Sequence, residues 1–255
     1  MKRAKIFGGR CLKEMLRDPL SYIFCLGFPL IMMVIMTIID QSIPEGKGPD
    51  IFHIGNLTAG IIVFGLTFTM LFTSINVAHD RGGSFLVRMY ATPMKSTDFI
   101  LGYIIPSFII AVAQTVVSIV SAVIVSLITD GDIGISVLAG FIPIIPSALM
   151  FIGFGLIAGT LLSEKGAPGI CSVFISLAGM LGGIWFDPES TGGVMLTVSK
   201  CMPFYYCTKS TRAAIAGDFS FDAFLLPLIV ITVCAAAALL LAGKLFKTKM
   251  KADLA

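Results

Sequence analysis

An all-α integral membrane protein with six transmembrane helices is the fold class this sequence predicts, and three observations carry it. Six long apolar runs contain no Asp, Glu, Lys or Arg. Hydrophobic residues make up 56% of the chain, and the mean hydropathy is +0.97. The basic residues gather at alternate ends of the runs. A soluble globular domain does not have this composition or this charge map.

The runs are Leu20–Ile39, Leu57–His79, Phe99–Thr129, Ile133–Ser163, Gly166–Phe186 and Ala223–Gly243. Each can cross a hydrocarbon core of about 30 Å at a rise of about 1.5 Å per residue. The third and fourth exceed one untilted span, and Pro106, Pro143 and Pro146 offer places for a kink or an interfacial turn.

An even number of spans puts both termini on one side. Lys2, Arg3, Lys5, Arg10, Lys13 and Arg17 precede the first span, Arg81, Arg88 and Lys95 follow the second, and Lys165 follows the fourth. Lys244, Lys247, Lys249 and Lys251 close the chain, leaving Lys47, Lys200, Lys209 and Arg212 on the other side. This asymmetry predicts cytoplasmic termini in a multi-pass protein of the cell membrane. It also accounts for the basic clusters without nucleic acid, which is excluded as a partner, and the formal charge of +3 is small.

The elements follow in order. Residues 1–18 place Phe7, Cys11, Leu12, Met15 and Leu16 at helical spacing, with Lys5, Arg10, Lys13, Glu14 and Arg17 on the remaining surface. This predicts an amphipathic helix lying in the membrane interface, ended by Asp18-Pro19; a plain polybasic stop to the first span is the simpler alternative. The first apolar run lacks a small-residue cleavage site before Asp40 and reads as an uncleaved span. Residues 20–243 form the six-span bundle and residues 244–255 a basic tail, so the chain reads as one transmembrane domain over 1–255.

The loops are unequal. Asp80–Asp98 and Asp187–Asp222 are long, whereas Asp130–Asp132 and Glu164-Lys165 are minimal links. Within the last long loop Val194–Val198 and Cys201–Tyr206 are apolar, which predicts short re-entrant helices between spans five and six, or a folded outer loop with a few buried anchors. Cys201 and Cys207 share that oxidising side, and their spacing allows a disulfide without establishing one. His53 and His79 fall on opposite sides of the membrane, so no metal site is predicted.

Certain motifs are specific. The basic N-terminal helix through Leu16-Arg17-Asp18-Pro19, then Phe28-Pro29 in the first span, resembles the membrane subunits of type-2 ATP-binding-cassette (ABC) exporters. The segment from Asp80-Arg81-Gly82-Gly83 through Thr92-Pro93 to Leu101-Gly102 is similar to that family's cytoplasmic signature, with Val87-Arg88 and Tyr103 as departures. Gly183-Ile184-Trp185-Phe186-Asp187-Pro188, followed by Met202-Pro203-Phe204-Tyr205-Tyr206 and Arg212, is similar to the family's final pair of short extracellular helices.

The resemblance implies a cytoplasmic coupling helix between spans two and three that docks on an ATPase subunit. Ser84, Phe85, Leu86 and Met89 would make the contact, with Arg81 and Arg88 as polar partners; alternatively, the apolar side chains rest on the membrane interface. No GxxxxGK[ST] segment occurs in the chain, so the chain is not read as an enzyme. It holds no cofactor of its own, and ATP and Mg would be bound by a separate ATPase. The resemblance further implies two permease chains, a homodimer being the simplest. Small residues four apart in span five, Ser172 with Ser176 and Gly179 with Gly183, suit a helix contact.

The family resemblance places the substrate path along spans two and five. Thr67, Thr69, Thr73 and Asn76 in span two, with Ser172, Ser176 and Met180 in span five, are the candidates for an uncharged cavity that suits an amphipathic drug, peptide or lipid-like molecule. An ion-coupled carrier needs an ionisable residue at mid-membrane, and none of the runs holds one. An ion-extruding permease remains open, as does an assembly subunit; an intramembrane enzyme would rest only on His79 near Ser74, a weak pair.

Overall fold

The computed structural model describes residues 2–19, 23–43, 50–83, 96–129 and 134–252. The described residues are helical almost throughout, and no strand occurs among them. Helix α1, Lys2–Arg17, carries the expected stripe: Phe7, Cys11 and Met15 are buried, and Leu12 is half-buried. Leu16, which the same spacing assigns to the stripe, is exposed, as is Ile6. Asp18 and Pro19 follow the last turn, where the residue before a proline disfavours the α conformation.

Helix α2, Ile23–Ser42, opens with a π turn and is followed after Phe52 by α3, Ile54–Gly82. Helix α4 runs Ser96–Ile128, with Pro106 inside it. The fourth apolar run begins with a 3₁₀ turn over Ile135–Gly140 and continues as α5, Phe141–Leu161, so its excess length is taken up by the turn. Helix α6 is Ala167–Leu181. A short hairpin of α7 (Pro188–Thr191), α8 (Gly193–Cys201) and α9 (Pro203–Ala216) precedes a π turn at Phe221–Leu225 and α10, Leu226–Ala252.

Five of these segments are long and apolar enough to cross a membrane: Ile23–Ser42, Ile54–Gly82, Ser96–Ile128, Ser136–Leu161 and Phe221–Lys249. The protein is a multi-pass membrane protein. The expected fifth span, Gly166–Phe186, is shorter as a helix than the sequence suggests, because it stops at Leu181. Gly182 and Gly183 end it, and Gly183 has φ +74°, a left-handed conformation that side-chain-bearing residues resist.

Helix α3 is the axis of the packing. Its apolar window is 83% buried, against 22% in α2 and 28% in α10, so α2 and α10 present apolar stripes outward, such as Ile31, Ile35 and Ile38. Helices α3 and α5 approach each other closely. A Cβ on Gly155 would lie 2.5 Å from the Met70 carbonyl oxygen, and one on Gly159 would lie 2.5 Å from that of Ser74. This Gly-x-x-x-Gly pair lets the two backbones meet, as small residues do when no hydrophobic force drives helices together in lipid.

Helix α1 packs on α4 through a second glycine. Gly102 leaves a notch in α4 that the Phe7 ring fills, and that ring stands edge-on to Phe99 and Tyr103 at centroid distances of 5.3 and 5.1 Å. The Phe7, Cys11 and Met15 part of the α1 stripe is therefore covered by protein.

Candidate functional site

The end of the bundle that gathers the basic residues also holds a buried carboxylate. Asp80 lies in the last turn of α3 and is 4% exposed. A negative charge at a helix C-terminus is opposed by the helix dipole, so this one needs positive partners. Arg10 of α1 donates from Nη2 to its Oδ1 at 3.0 Å, and the Tyr103 hydroxyl of α4 donates to Oδ2 at 2.7 Å. One carboxylate thus ties three helices. Arg10 is also paired with Glu14 one turn along α1, at 2.7 Å. Burial alone would lower the Arg10 pKa, but its bonds to Asp80 and Glu14 reverse that and hold it above the ordinary value.

The residues on either side of Asp80 extend the anchor. Arg81 donates from Nη1 to the carbonyl oxygens of Gly159, at 3.1 Å, and Thr160 in the last turn of α5. Those carbonyls have no intrahelical donors, and a cation there also meets the negative end of the helix. His79 Nδ1 lies 2.9 Å from Glu164 in the link between α5 and α6. Tyr103, a departure from the family pattern in the sequence, is here a hydroxyl donor that reaches the carboxylate without adding charge.

Of the residues expected to couple to an ATPase, Arg81 is engaged with α5 as described. Ser84, Phe85, Leu86, Arg88 and Met89 lie outside the described residues. The expected path residues divide into two groups. Thr67, Thr69 and Thr73 are buried and turn toward α4 or their own backbone: Thr67 donates to the Phe64 carbonyl at 2.6 Å, and Thr73 donates to the Thr69 carbonyl at 2.7 Å and the Ser107 hydroxyl at 2.8 Å. Asn76 is half-buried. In contrast, Ser172, Ser176 and Met180 lie on an exposed face of α6 together with Gly169 and Val173.

Sequence reasoning passed over Gln114. It is fully buried in α4, where its Nε2 donates to the Ile62 carbonyl at 3.1 Å, and Gly65 of α3 provides the space for it. The signal was available as a lone amide in an otherwise apolar run. Gly179 and Gly183, expected to suit a helix contact, each have a neighbour within the chain: Trp185 packs over Gly179, and Gly183 sits in the turn beside Pro188. The close-packing glycines are instead Gly155 and Gly159, whose four-residue spacing is equally visible in the sequence.

The opposite end is built around α7–α9. The Asp187 carboxylate caps α7, accepting from the backbone N–H of Glu189 at 3.1 Å and of Ser190 at 3.3 Å. Glu189 accepts from Lys209 Nζ at 2.7 Å and from the Tyr205 hydroxyl. Lys209 and then Tyr205 hold its carboxyl below the ordinary range, while burial and Glu189 push Tyr205 up to about 12. Arg212 donates to the Gly183 carbonyl at 2.6 Å and the Asn56 carbonyl at 3.4 Å, joining α9 to α3 and the end of α6. Cys201 and Cys207 are both free thiols, with Cys207 buried in the core and Cys201 exposed.

A long apolar helical bundle whose N-terminal helix is bolted to the end of α3 is the architecture of a multi-pass membrane protein. The family model described as ABC-2 type transporter matches residues 3–216, and the chain belongs to that family. It is thus the permease subunit of an ABC transporter, whose ATPase is a separate subunit. No curated protein matches the sequence.

Proposed function

We propose that this chain is an export permease, moving an amphipathic or hydrophobic drug, peptide or lipid-like molecule out of the cytoplasm or inner leaflet. The basic end faces the cytoplasm, with both termini there. This orientation requires six crossings. Helix α6 and the Gly182–Phe186 turn, docked on α9, make the fifth. Helix α1 lies along the cytoplasmic interface, and α7–α9 form the re-entrant hairpin at the outer end.

The observation that carries the reading is the anchoring of the last turn of α3. Asp80, Arg81 and His79 tie it to α1, α4, α5 and the α5–α6 link. The segment that leaves this turn, residues 84–90, is the coupling segment; a push delivered there by an ATPase is resisted by four neighbours and is passed to them as a rigid-body displacement. Because the apolar runs hold no Asp, Glu, Lys or Arg to bind a coupling ion at mid-membrane, the free energy for transport comes from ATP and Mg in the partner. A second copy meets this chain along the exposed face of α6, whose Gly169, Ser172, Ser176 and Met180 offer small and adaptable side chains. The substrate path runs beside that face.

Co-reconstitution with the partner ATPase tests the reading. Substrate-stimulated ATP hydrolysis is expected, and F85D/L86D should abolish it while leaving membrane insertion intact. Hydrolysis unchanged by this double substitution would refute the coupling role. A chain that co-purifies with an ATPase but neither stimulates it nor moves any amphiphile would be an assembly subunit.

A further inference from the structure

Helix α1 keeps its apolar stripe for the bundle. Phe7 fills the Gly102 notch, and Cys11 and Met15 are buried, so the stripe does not dip into lipid. The face left outward is basic. Lys5, Lys13 and Arg17 are exposed along it, and a rise of about 1.5 Å per residue sets them in a row about 18 Å long. Among them Ile6 is 76% exposed and Leu16 47%.

The helix carries six basic residues and one acidic residue, Glu14. Glu14 is bonded to Arg10 at 2.7 Å, and Arg10 also to Asp80 at 3.0 Å. Among the described residues no carboxylate lies within ion-pairing distance of Lys5, Lys13 or Arg17. A space of about 460 Å³ lies among these side chains, where Lys5, Arg10, Lys13 and Arg17 face the single carboxylate of Glu14, with Ile6 and Gly9 beside them. Among the described residues this surface therefore presents a net positive charge to a partner.

We propose that the outward face of α1 binds the headgroups of anionic phospholipids in the inner leaflet, with Lys5, Lys13 and Arg17 on the phosphates and Ile6 and Leu16 at the boundary between headgroups and acyl chains. Two observations favour lipid over an acidic protein surface. Exposed apolar side chains interleaved with unpaired cations match a partner that offers negative charge and hydrocarbon at adjacent depths. The chain also runs from Arg17 to the membrane-crossing segment that opens at Ile23, a reach of at most about 20 Å even if fully extended, which keeps α1 close to the bilayer. The proposal rests on the reading of α1 as a helix at the cytoplasmic interface; it does not depend on the substrate or on the direction of transport.

Quenching by brominated acyl chains tests it. I6W places a reporter on the outward face of the full-length chain, and W185F removes the only native tryptophan. The protein is reconstituted into vesicles of phosphatidylcholine and phosphatidylglycerol in which one lipid or the other is brominated. At low ionic strength an apparent preference of about fivefold or more for phosphatidylglycerol is expected, because each Lys or Arg near an anionic surface contributes a factor of about five. K5Q/K13Q/R17Q should bring the preference to about one, high salt should reduce it, and K200Q on α8 should leave it unchanged. In the chain with native Ile6 and Trp185, the phosphatidylglycerol retained through purification in a non-ionic detergent, counted by native mass spectrometry, should fall with the same triple substitution.

Equal quenching by the two lipids overturns the proposal while leaving α1 at the interface. Quenching by neither overturns it together with the interfacial placement of α1. A preference that survives K5Q/K13Q/R17Q assigns the lipid to other cations and also overturns it. Loss of ATPase co-purification in the triple variant, with no lipid preference in its parent, makes the face a protein-docking surface instead. Should I6W/W185F not fold, the retained lipid decides, and equal retention by the wild type and K5Q/K13Q/R17Q overturns the proposal.

Discussion

The two ends of the bundle each bury a charge, and they treat it in opposite ways. At the basic end the Asp80 carboxylate meets Arg10 and Tyr103 at 3.0 and 2.7 Å. At the far end Arg212, among the described residues, hydrogen-bonds the carbonyls of Gly183 and Asn56 and no carboxylate. A carboxylate matched by a cation and a hydroxyl is complete, and its removal takes away one tie of α1 and one of α4 to α3. The Arg212 guanidinium is held in position by neutral dipoles, and the more distant charges of Asp187 and Glu189 offset only part of the cost of burying it.

The comparison can be broken most decisively at Arg10. R10A leaves Asp80 buried at a helix C-terminus without its cation, so a loss of about 3–5 kcal/mol is expected, read from thermal or denaturant unfolding in detergent. Should R10A lose less than the removal of Arg212 does, the two ends would not differ as described. Y103F keeps the ion pair and removes one bond to a charged group, for an expected loss of about 1.5–3 kcal/mol. A double-mutant cycle of R10A and Y103F should show coupling, because both donors share one carboxylate.

Acid sharpens the far side of the comparison. The Glu189 carboxyl is held below its ordinary pKa by Lys209 and Tyr205, so its contribution is fully present above the unfolded value and is lost as pH falls through the folded one. Proteolysis of the α7–α9 hairpin should accordingly rise on acidification below the ordinary carboxylate range. E189Q should remove that pH dependence, and its persistence would assign it to another group. The smallest effect is expected for E164Q, which breaks an exposed pair with His79 and should change stability by no more than about 1 kcal/mol, measured at neutral pH.

Much of the fold is legible in the sequence because lipid imposes strict rules. Stretches free of charge become helices, since a backbone in hydrocarbon must satisfy its own hydrogen bonds. The stripe Phe7, Cys11 and Met15 faces inward in α1 as its period requires. What covers that stripe was not legible: the notch at Gly102 takes Phe7, and nothing in the spacing of α1 points to α4. Similarly, the hydroxyls of Thr69 and Thr73 read as a polar lining, yet Ser107 and Gln114 of α4 face them and make the seam internal. A one-helix pattern cannot say which neighbour meets its polar face.

Glycines illustrate the same limit. Gly155 and Gly159 share the four-residue spacing expected of an interface, and so do Gly179 and Gly183. Only the first pair lets helices close, because the second straddles the end of α6, where Gly183 turns with φ +74°.

By itself the sequence determined the membrane class, the apolar runs free of Asp, Glu, Lys and Arg and the clustering of basic residues, because each follows from the cost of placing charge and unpaired backbone in hydrocarbon. The tertiary structure alone decided which charges became partners. Asp80 acquired Arg10 from a helix some seventy residues earlier, while Arg212 was placed against carbonyls of two distant turns. Ion pairing depends on approach within a few ångströms, and that distance is set by which helices pack together, not by the order of residues along the chain.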